Sequence, residues 1–291
     1  MKIMQENTGK IIVQPMGGLA NRMRVLAFCF YITQKHNARL ECKWMVNEEL
    51  QAPFESIFKS VNFYVENVYG TQYLLKKSRR WWRNIPAYYY LLKERIDLWL
   101  PSNYADEVID PAKDDSRREF CRKIEDALIE GKTVYLATGN YLGEYTDISF
   151  FSPIESILQN VEKCLTLFEK GHSYGLHIRR TDNEWSIKHS PIELFENKIN
   201  EIIKQDTRAK FYLATDDQET ANLMTAKYGK HIVYKEKELT RKSENGIKEA
   251  VADMWILGHM DTIYGSYWSS FSEVASWINN KPLYCISDES I

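Results

Sequence analysis

Apolar and polar positions fall into short blocks along this chain, and the blocks switch between strand-like runs and helix-like spacing. Lys10 to Gln14 (KIIVQ) is a short apolar run that predicts a strand. From Ala20 to His36, Met23, Leu26, Ala27, Phe30 and Tyr31 recur at helical spacing and predict a helix with one buried face. Ala38 to Lys43 predicts the next strand, so the chain opens as a βαβ unit with a right-handed crossover. Further on, a helix over Asp115 to Gly131, a strand over Thr133 to Thr138 (TVYLAT) and a helix over Pro153 to Lys170 are expected. Pro153 suits the first turn of that helix.

The second half alternates without interruption. A strand at 173–178 is followed by a loop and a helix running to about Lys204, with Ser190 and Glu193 as a capping box and Pro191 at the first helical position. Strands follow at Lys210 to Thr215 (KFYLAT), His231 to Tyr234, Asp261 to Gly265 and Pro282 to Ile286. Between them lie helices opened by Asp216 to Glu219 and ending at Gly229, then Glu244 to His259 and Ser270 to Asn279. Regular β-α alternation predicts an α/β fold with a parallel, doubly wound sheet. We place a domain boundary near Lys170, giving domains 1–170 and 171–291.

The pattern loosens from Asn47 to Asp115, which reads as an insertion in the first domain. Lys76 to Leu100 interleaves basic residues with Trp81, Trp82 and Tyr88 to Tyr90. A helical pair with an aromatic core and a solvated basic face is the preferred reading. A peripheral contact of 76–100 with a membrane surface or an anionic, lipid-linked acceptor is the alternative.

Composition changes this picture only by exclusion. A length of 291 residues suits two domains, and a formal charge of −2 argues against general nucleic-acid binding. The five cysteines are scattered, with no CxxC pair or ligand-spaced histidine, which disfavours a metal or disulfide framework. MKIMQENTGK lacks a signal-peptide apolar core and no apolar run reaches transmembrane length, so a cytoplasmic protein is expected. No GxSxG, HExxH or Walker lysine is present, and there is no DxD pair to chelate a metal at a nucleotide sugar.

Chemistry concentrates at the predicted strand ends, where open α/β sheets bind ligands. The run SYGLHIRRTDN ends a strand in Arg179, Arg180 and Asp182, and paired guanidiniums there suit a phosphate or diphosphate. Surface ion pairing with Asp182 and Glu184 is the plainer reading of the same residues. Thr215, Asp216 and Asp217 end the next strand, where helix capping explains one aspartate better than both. Asp253 sits beside an apolar helical stripe. It reads either as a solvent-facing boundary residue or as an acceptor for the paired N–H donors of guanine. GSYWSSFSE puts Ser269 and Ser270 at a helix start, as caps or as phosphate or ribose contacts. Gly17 and Gly18, with Asn21 and Arg22, form a tight βα turn whose amides can face an anion.

Taken in order, HIRRTDN, PIELF, FYLATDD, NGIKEAVADMWILGHMD and SYWSSFSEVA resemble the α1,6-fucosyltransferases of N-glycan cores and the nodulation-factor fucosyltransferases. GGLANRMR is similar to a glycine-rich start shared with α1,2- and protein O-fucosyltransferases. The resemblance covers Ser173 to Asn279 and the short N-terminal motif. It implies a GT-B-like fold of two Rossmann-like domains facing a cleft, GDP-fucose as donor, inversion, and neither cofactor nor metal. The partners expected are a nucleotide-sugar donor and a glycan or lipid-linked oligosaccharide acceptor, with no nucleic acid. Carried onto this chain, Arg179 and Arg180 would contact the diphosphate, His177 the nucleotide, and Asp182 the arginine loop. Asp216 and Asp217 would line the donor site, Asp253 would read guanine, and Ser269 and Ser270 would lie near the phosphate. Gly17, Gly18 and Asn21 would approach from the first domain. The loop after the arginines, NEWSIKH, is one residue shorter than the family pattern, and its only carboxylate is Glu184. The general base is therefore Glu184 or His189. Phe271 replaces a polar residue of the family pattern. Another GDP-sugar such as GDP-mannose, or a non-catalytic nucleotide-sugar or glycan-binding module, are the alternative readings.

Overall fold

The computed structural model describes residues 9–69, 106–109, 117–143 and 145–288. The chain divides into two compact units: Met1–Phe54 with Ser60–Phe150, and Glu55–Lys59 with Phe151–Ile291.

The first unit holds β1 (Lys10–Pro15), α1 (Leu19–Lys35), β2 (Arg39–Val46), β3 (Tyr64–Tyr69), β4 (Glu107–Ile109), α2 (Arg117–Ile129) and β5 (Thr133–Thr138). Its strands form a sheet in the order β3-β2-β1-β5-β4, and every pair is parallel. The sequence reading missed β3 and β4. β3 buries only Val68 and β4 is three residues long, so neither carries the continuous apolar run of a central strand. The expected insertion at 47–115 therefore contributes two outer strands to the sheet. Residues 76–100, read as a helical pair or a membrane contact, lie outside the described residues. Among those described, no helix is long and apolar enough to cross a membrane.

The second unit holds α3 (Glu155–Leu165), β6 (Ser173–Ile178), α4 (Glu184–His189), α5 (Ile192–Gln205), β7 (Lys210–Thr215) and α6 (Gln218–Tyr228). It continues with β8 (Ile232–Val233), α7 (Glu244–Leu257), β9 (Thr262–Ser266), α8 (Ser270–Ile278) and β10 (Leu283–Ile286). Its sheet runs β10-β9-β6-β7-β8, again all parallel. Counted from β6 this is 5-4-1-2-3, the doubly wound order of dinucleotide-binding sheets. The expected α/β class, with two Rossmann-like sheets, is what the structure has. Leu176, Ile178, Phe195, Ile199, Phe211, Leu213 and Met224 fill the layer between this sheet and its helices. β6 and β7 are buried almost throughout because helices cover both faces of a parallel sheet.

The boundary falls at Phe150, some way before the Gly171 turn where the sequence suggested it. Lys59 N donates to Ser152 O (2.7 Å) and Ile154 N to Ile57 O (3.1 Å). Phe58 packs against Phe151 and against Trp255 of α7. These contacts carry 55–59 and α3 into the second unit. Spacing predicted the helix but says nothing of which sheet it covers.

Candidate functional site

In the second sheet the chain leaves β6 toward β7 on one side and returns to β9 on the other. The carboxyl ends of β6 and β9 therefore flank the switch point at which such sheets bind ligands. Arg179 is the first residue past β6, and its N–H donates to Ser266 Oγ at the end of β9 (3.0 Å). Ser266 Oγ donates in turn to His177 O (3.2 Å).

On the β7 side, Asp216 gathers the arginine turn. Its Oδ1 accepts from Arg180 N (2.7 Å), and its Oδ2 accepts from Thr181 Oγ (2.6 Å) and pairs with Arg179 Nε (3.1 Å). Burial alone would raise the Asp216 pKa. Arg179 and the hydrogen bonds from Thr181 and Arg180 outweigh it and hold the carboxyl below its ordinary value. Arg179 also pairs with Asp182, whose other oxygen takes Arg241 Nη2 at 3.0 Å. Asp217 turns away and caps α6, accepting from Thr220 N (2.8 Å) and Oγ (2.6 Å). The two adjacent aspartates thus have different tasks: Asp216 orders the arginines and Asp217 is a cap.

Arg180 points along α4. It donates through Nη1 to Ile187 O (3.3 Å) and through Nη2 to Ser190 O, while its buried Nε has no hydrogen-bond partner. The NEWSIKH stretch, expected as loop, is this short helix, capped by Asn183 Oδ1 on Ser186 N (3.1 Å). The expected capping box at Ser190 does not form. Ser190 Oγ donates to Ile286 O (2.5 Å) and accepts from Tyr267 N (2.7 Å), and α5 starts after Pro191 with no side-chain cap. Ser190 ends one helix instead of opening the next. Glu184 is exposed in the first turn of α4, whereas His189 is buried, with Nδ1 3.1 Å from Asp288 and its ring stacked on Trp185.

His177, on β6, is buried and stacked on Phe271 (4.8 Å between centroids), with Nδ1 3.5 Å from Ser269 Oγ. Phe271, expected as a lost polar contact, is the floor beneath this imidazole. Ser269 is the N-cap residue of α8 without a side-chain cap bond, and Ser270 opens the helix. Burial, with Arg179 adding repulsion, pushes the His177 pKa from 6.5 down to about 3. An imidazole depressed in the folded state contributes stability that is complete above its unfolded pKa and drains as pH falls toward the folded one. Between pH 6.5 and 4 the urea midpoint of the second unit is expected to fall, and His177→Phe to flatten that limb. An equal slope in the variant would exclude His177 as its source.

Asp253 departs from the solvent-facing reading. It is buried on α7, and its Oδ1 accepts from Tyr212 OH (2.6 Å) and from Lys237 Nζ. The side chain of Lys237 is itself buried, with Nζ over the rings of Tyr212 (5.6 Å) and Tyr234 (5.4 Å). The carboxylate is not a solvent-facing boundary group, and its Oδ1 is taken twice. Lys237 gave no sequence signal, since it sits in the charged run KEKELTRK, which reads as a solvated loop.

In the first unit the glycine turn joins β1 to α1 at that sheet's own switch point, between β1 and β5. Gly17 has φ +83°, open to glycine at little cost. Its N–H, expected to face an anion, donates to Glu49 Oε2 at 2.8 Å. Its carbonyl accepts from Arg22 Nε (2.7 Å). Arg22 is fully buried against Trp44 and also donates to Met45 O and Asn47 Oδ1 (3.1 Å). Burial lowers its pKa to about 10. Arg22 clamps the turn onto β2, a role invisible at sequence level because arginine is so rarely buried. Gly18 is the N-cap of α1, and Asn21 Oδ1 accepts from Arg24 Nη2 (2.8 Å).

Two parallel doubly wound units, one with a guanidinium cluster at its switch point, define the general class as a Rossmann-like α/β architecture. Solved structures narrow the fold further. The chain is similar to a NodZ α1,6-fucosyltransferase soaked with GDP-fucose, at TM-score 0.54 and 15% identity, over 92% of this chain and 91% of that one. NodZ from Bradyrhizobium matches at TM-score 0.54 and 16% identity, over 91% of each chain. POFUT1 in complex with GDP matches at TM-score 0.55 and 11% identity, over 97% of this chain and 99% of that one. A FUT1 mutant from Arabidopsis thaliana in complex with GDP matches at TM-score 0.56 and 13% identity, over 97% of this chain and 70% of that one. At these identities the likeness establishes a shared GT-B fucosyltransferase fold. No protein-family profile and no curated protein matches the sequence.

Proposed function

We propose that this protein transfers fucose from GDP-fucose to a hydroxyl of a glycan or lipid-linked oligosaccharide in the cytoplasm, with inversion and without a metal. The observation that carries the reading is the arginine turn at the switch point of the second sheet, held by Asp216 and Ser266. Fold neighbours solved with GDP and GDP-fucose support the choice of donor.

Arg179 takes the diphosphate. Its present partners are the carboxylates of Asp182 and Asp216, anionic groups of the kind a phosphate oxygen can replace. As the anomeric C–O bond breaks, its electron pair passes to the diphosphate, and the guanidinium stabilises that charge where a cation would otherwise be needed. Glu184, exposed beside the turn, accepts the proton of the attacking hydroxyl. His189 is buried and engaged with Asp288, so we assign the base to Glu184. Asp216 acts as a positioning residue through Arg179, Arg180 and Thr181.

Calorimetric titration with GDP and then ADP, in chelator, tests the reading. GDP is expected to bind without added metal and ADP at least tenfold more weakly. Binding of neither would overturn the donor assignment.

A further inference from the structure

Trp268 follows β9 and is the most exposed large apolar side chain among the described residues, at 74%. It also has φ +54°, a conformation that bulky residues almost never adopt. Such strain persists only where neighbours enforce it. Here they are identifiable. Asn183 caps α4 with its oxygen and donates through Nδ2 to Trp268 O (3.1 Å). Ser186 Oγ donates to Tyr267 O (2.6 Å), and Tyr267 N donates to Ser190 Oγ (2.7 Å). Three side chains of one short segment thus fix a solvent-facing indole in a disfavoured backbone state.

The same segment presents a second indole, Trp185, 57% exposed. The two are ends of one ladder of rings. Trp185 stacks on His189 (5.5 Å, 13°), His189 meets Tyr267 (5.2 Å), and Tyr267 meets Trp268 (6.1 Å). The ladder abuts the arginine turn, because Arg180 donates to the Ile187 and Ser190 carbonyls of that segment.

The geometry points to Trp268, flanked by Trp185, as the stacking surface for a neutral pyranose of the acceptor. This rests on the proposed transfer reaction, which requires an acceptor sugar beside the donor diphosphate. The surface suits that occupant. Rigid indoles offer flat apolar area at low entropic cost, matching the C–H face of a pyranose. Glu184 is an exposed acceptor next to Trp185, and Lys188 Nζ lies over the Trp185 ring (5.7 Å to its centroid), a donor for sugar hydroxyls that leaves Trp268 as the open indole. Asp182 is paired with Arg179 and Arg241, so what recommends a sugar here is the flat indole area next to the arginine turn and not the charge of the rim.

The test is indole fluorescence of the full chain titrated with cellotetraose, chitotetraose and maltotetraose, for the native protein, Trp268→Gly and Trp185→Ala. Glycine relieves the positive φ, so Trp268→Gly is expected to melt no lower than the native chain. A saturable emission change with at least one tetrasaccharide, weakened tenfold or more in Trp268→Gly while GDP affinity stays within twofold, is the expected result. No response to any tetrasaccharide, or an undiminished one in both variants, overturns the inference. If Trp268→Gly loses GDP and sugar together, Trp185→Ala decides: a full sugar response there also overturns it. If the native protein binds a tetrasaccharide but never GDP, the donor reading fails and the sugar platform stands.

Discussion

Arg179→Ala is expected to lower turnover of GDP-fucose, read as GDP release, by about a thousandfold, whereas Arg180→Ala is expected to show first as lost stability. The distinction comes from their partners. Arg179 faces two carboxylates, and its charge is available to any ligand that displaces them. Removing one preorganised group that stabilises a developing anion typically costs about a hundred- to a thousandfold in rate. Arg180 is committed to the backbone carbonyls of Ile187 and Ser190. Its loss leaves helix-terminal acceptors without a protein donor, a cost of about 1–2 kcal/mol for groups this close to solvent. Arg179→Ala also strips a cation from Asp216, so Arg179→Lys is the needed companion. It keeps the charge, loses the planar fork, and is expected to retain stability while recovering only part of the rate. Melting curves beside the turnover assay separate the two residues. Turnover of Arg179→Ala within tenfold of the native rate would remove the residue from the reaction.

Much of this site was legible because parallel strands announce themselves. The blocks ending in HIRR and YLATDD are continuous apolar runs, buried on both faces, and where they stop is where the sheet edge must be. Strand ends therefore came out nearly residue by residue, and with them Arg179, Arg180 and Asp216. What spacing does not carry is partnership. Asp216 and Asp217 are identical in type and adjacent, yet one faces Arg179 and the other Thr220. The edge strands β3 and β4 were invisible because half-exposed residues need not be apolar. Ser190 next to Pro191 and Glu193 fits a helix start in every local respect. The preceding turn of helix, and the pull of Ile286 and Tyr267 on its hydroxyl, decided otherwise. Buried cations were the hardest class. Arg22 read as a turn or ligand residue and Lys237 as part of a solvated loop, and only the tertiary structure supplies Gly17 O for one and Asp253 for the other.

That second cation leads to the other large effect. Lys237→Ala is expected to destabilise the second unit by about 3–5 kcal/mol, the usual cost of leaving one member of a buried ion pair alone. Asp253 cannot readily regain water, because it is buried on α7 with Tyr212 OH against it. Burial already pushes its pKa upward against the pull of Lys237, so the carboxylate depends on that ammonium. Asp253→Ala strands the lysine instead and is expected to cost a similar amount. Replacing both, as Lys237→Met with Asp253→Leu, removes the uncompensated charge and is expected to cost much less than the two single changes summed. Urea denaturation of the four proteins closes the cycle. Additive losses would show that the pair is not coupled and that the buried geometry is wrong. The same variants bear on guanine. Asp253 can accept both N–H donors of a purine edge only if Lys237 gives up Oδ1, so Asp253 acts as a reader only where ligand and lysine exchange. Loss of the preference for GDP over ADP in the double replacement, with the unit still folded, would assign Asp253 to the base. A preserved preference would confine it to holding the strand-to-helix connection that carries Lys237.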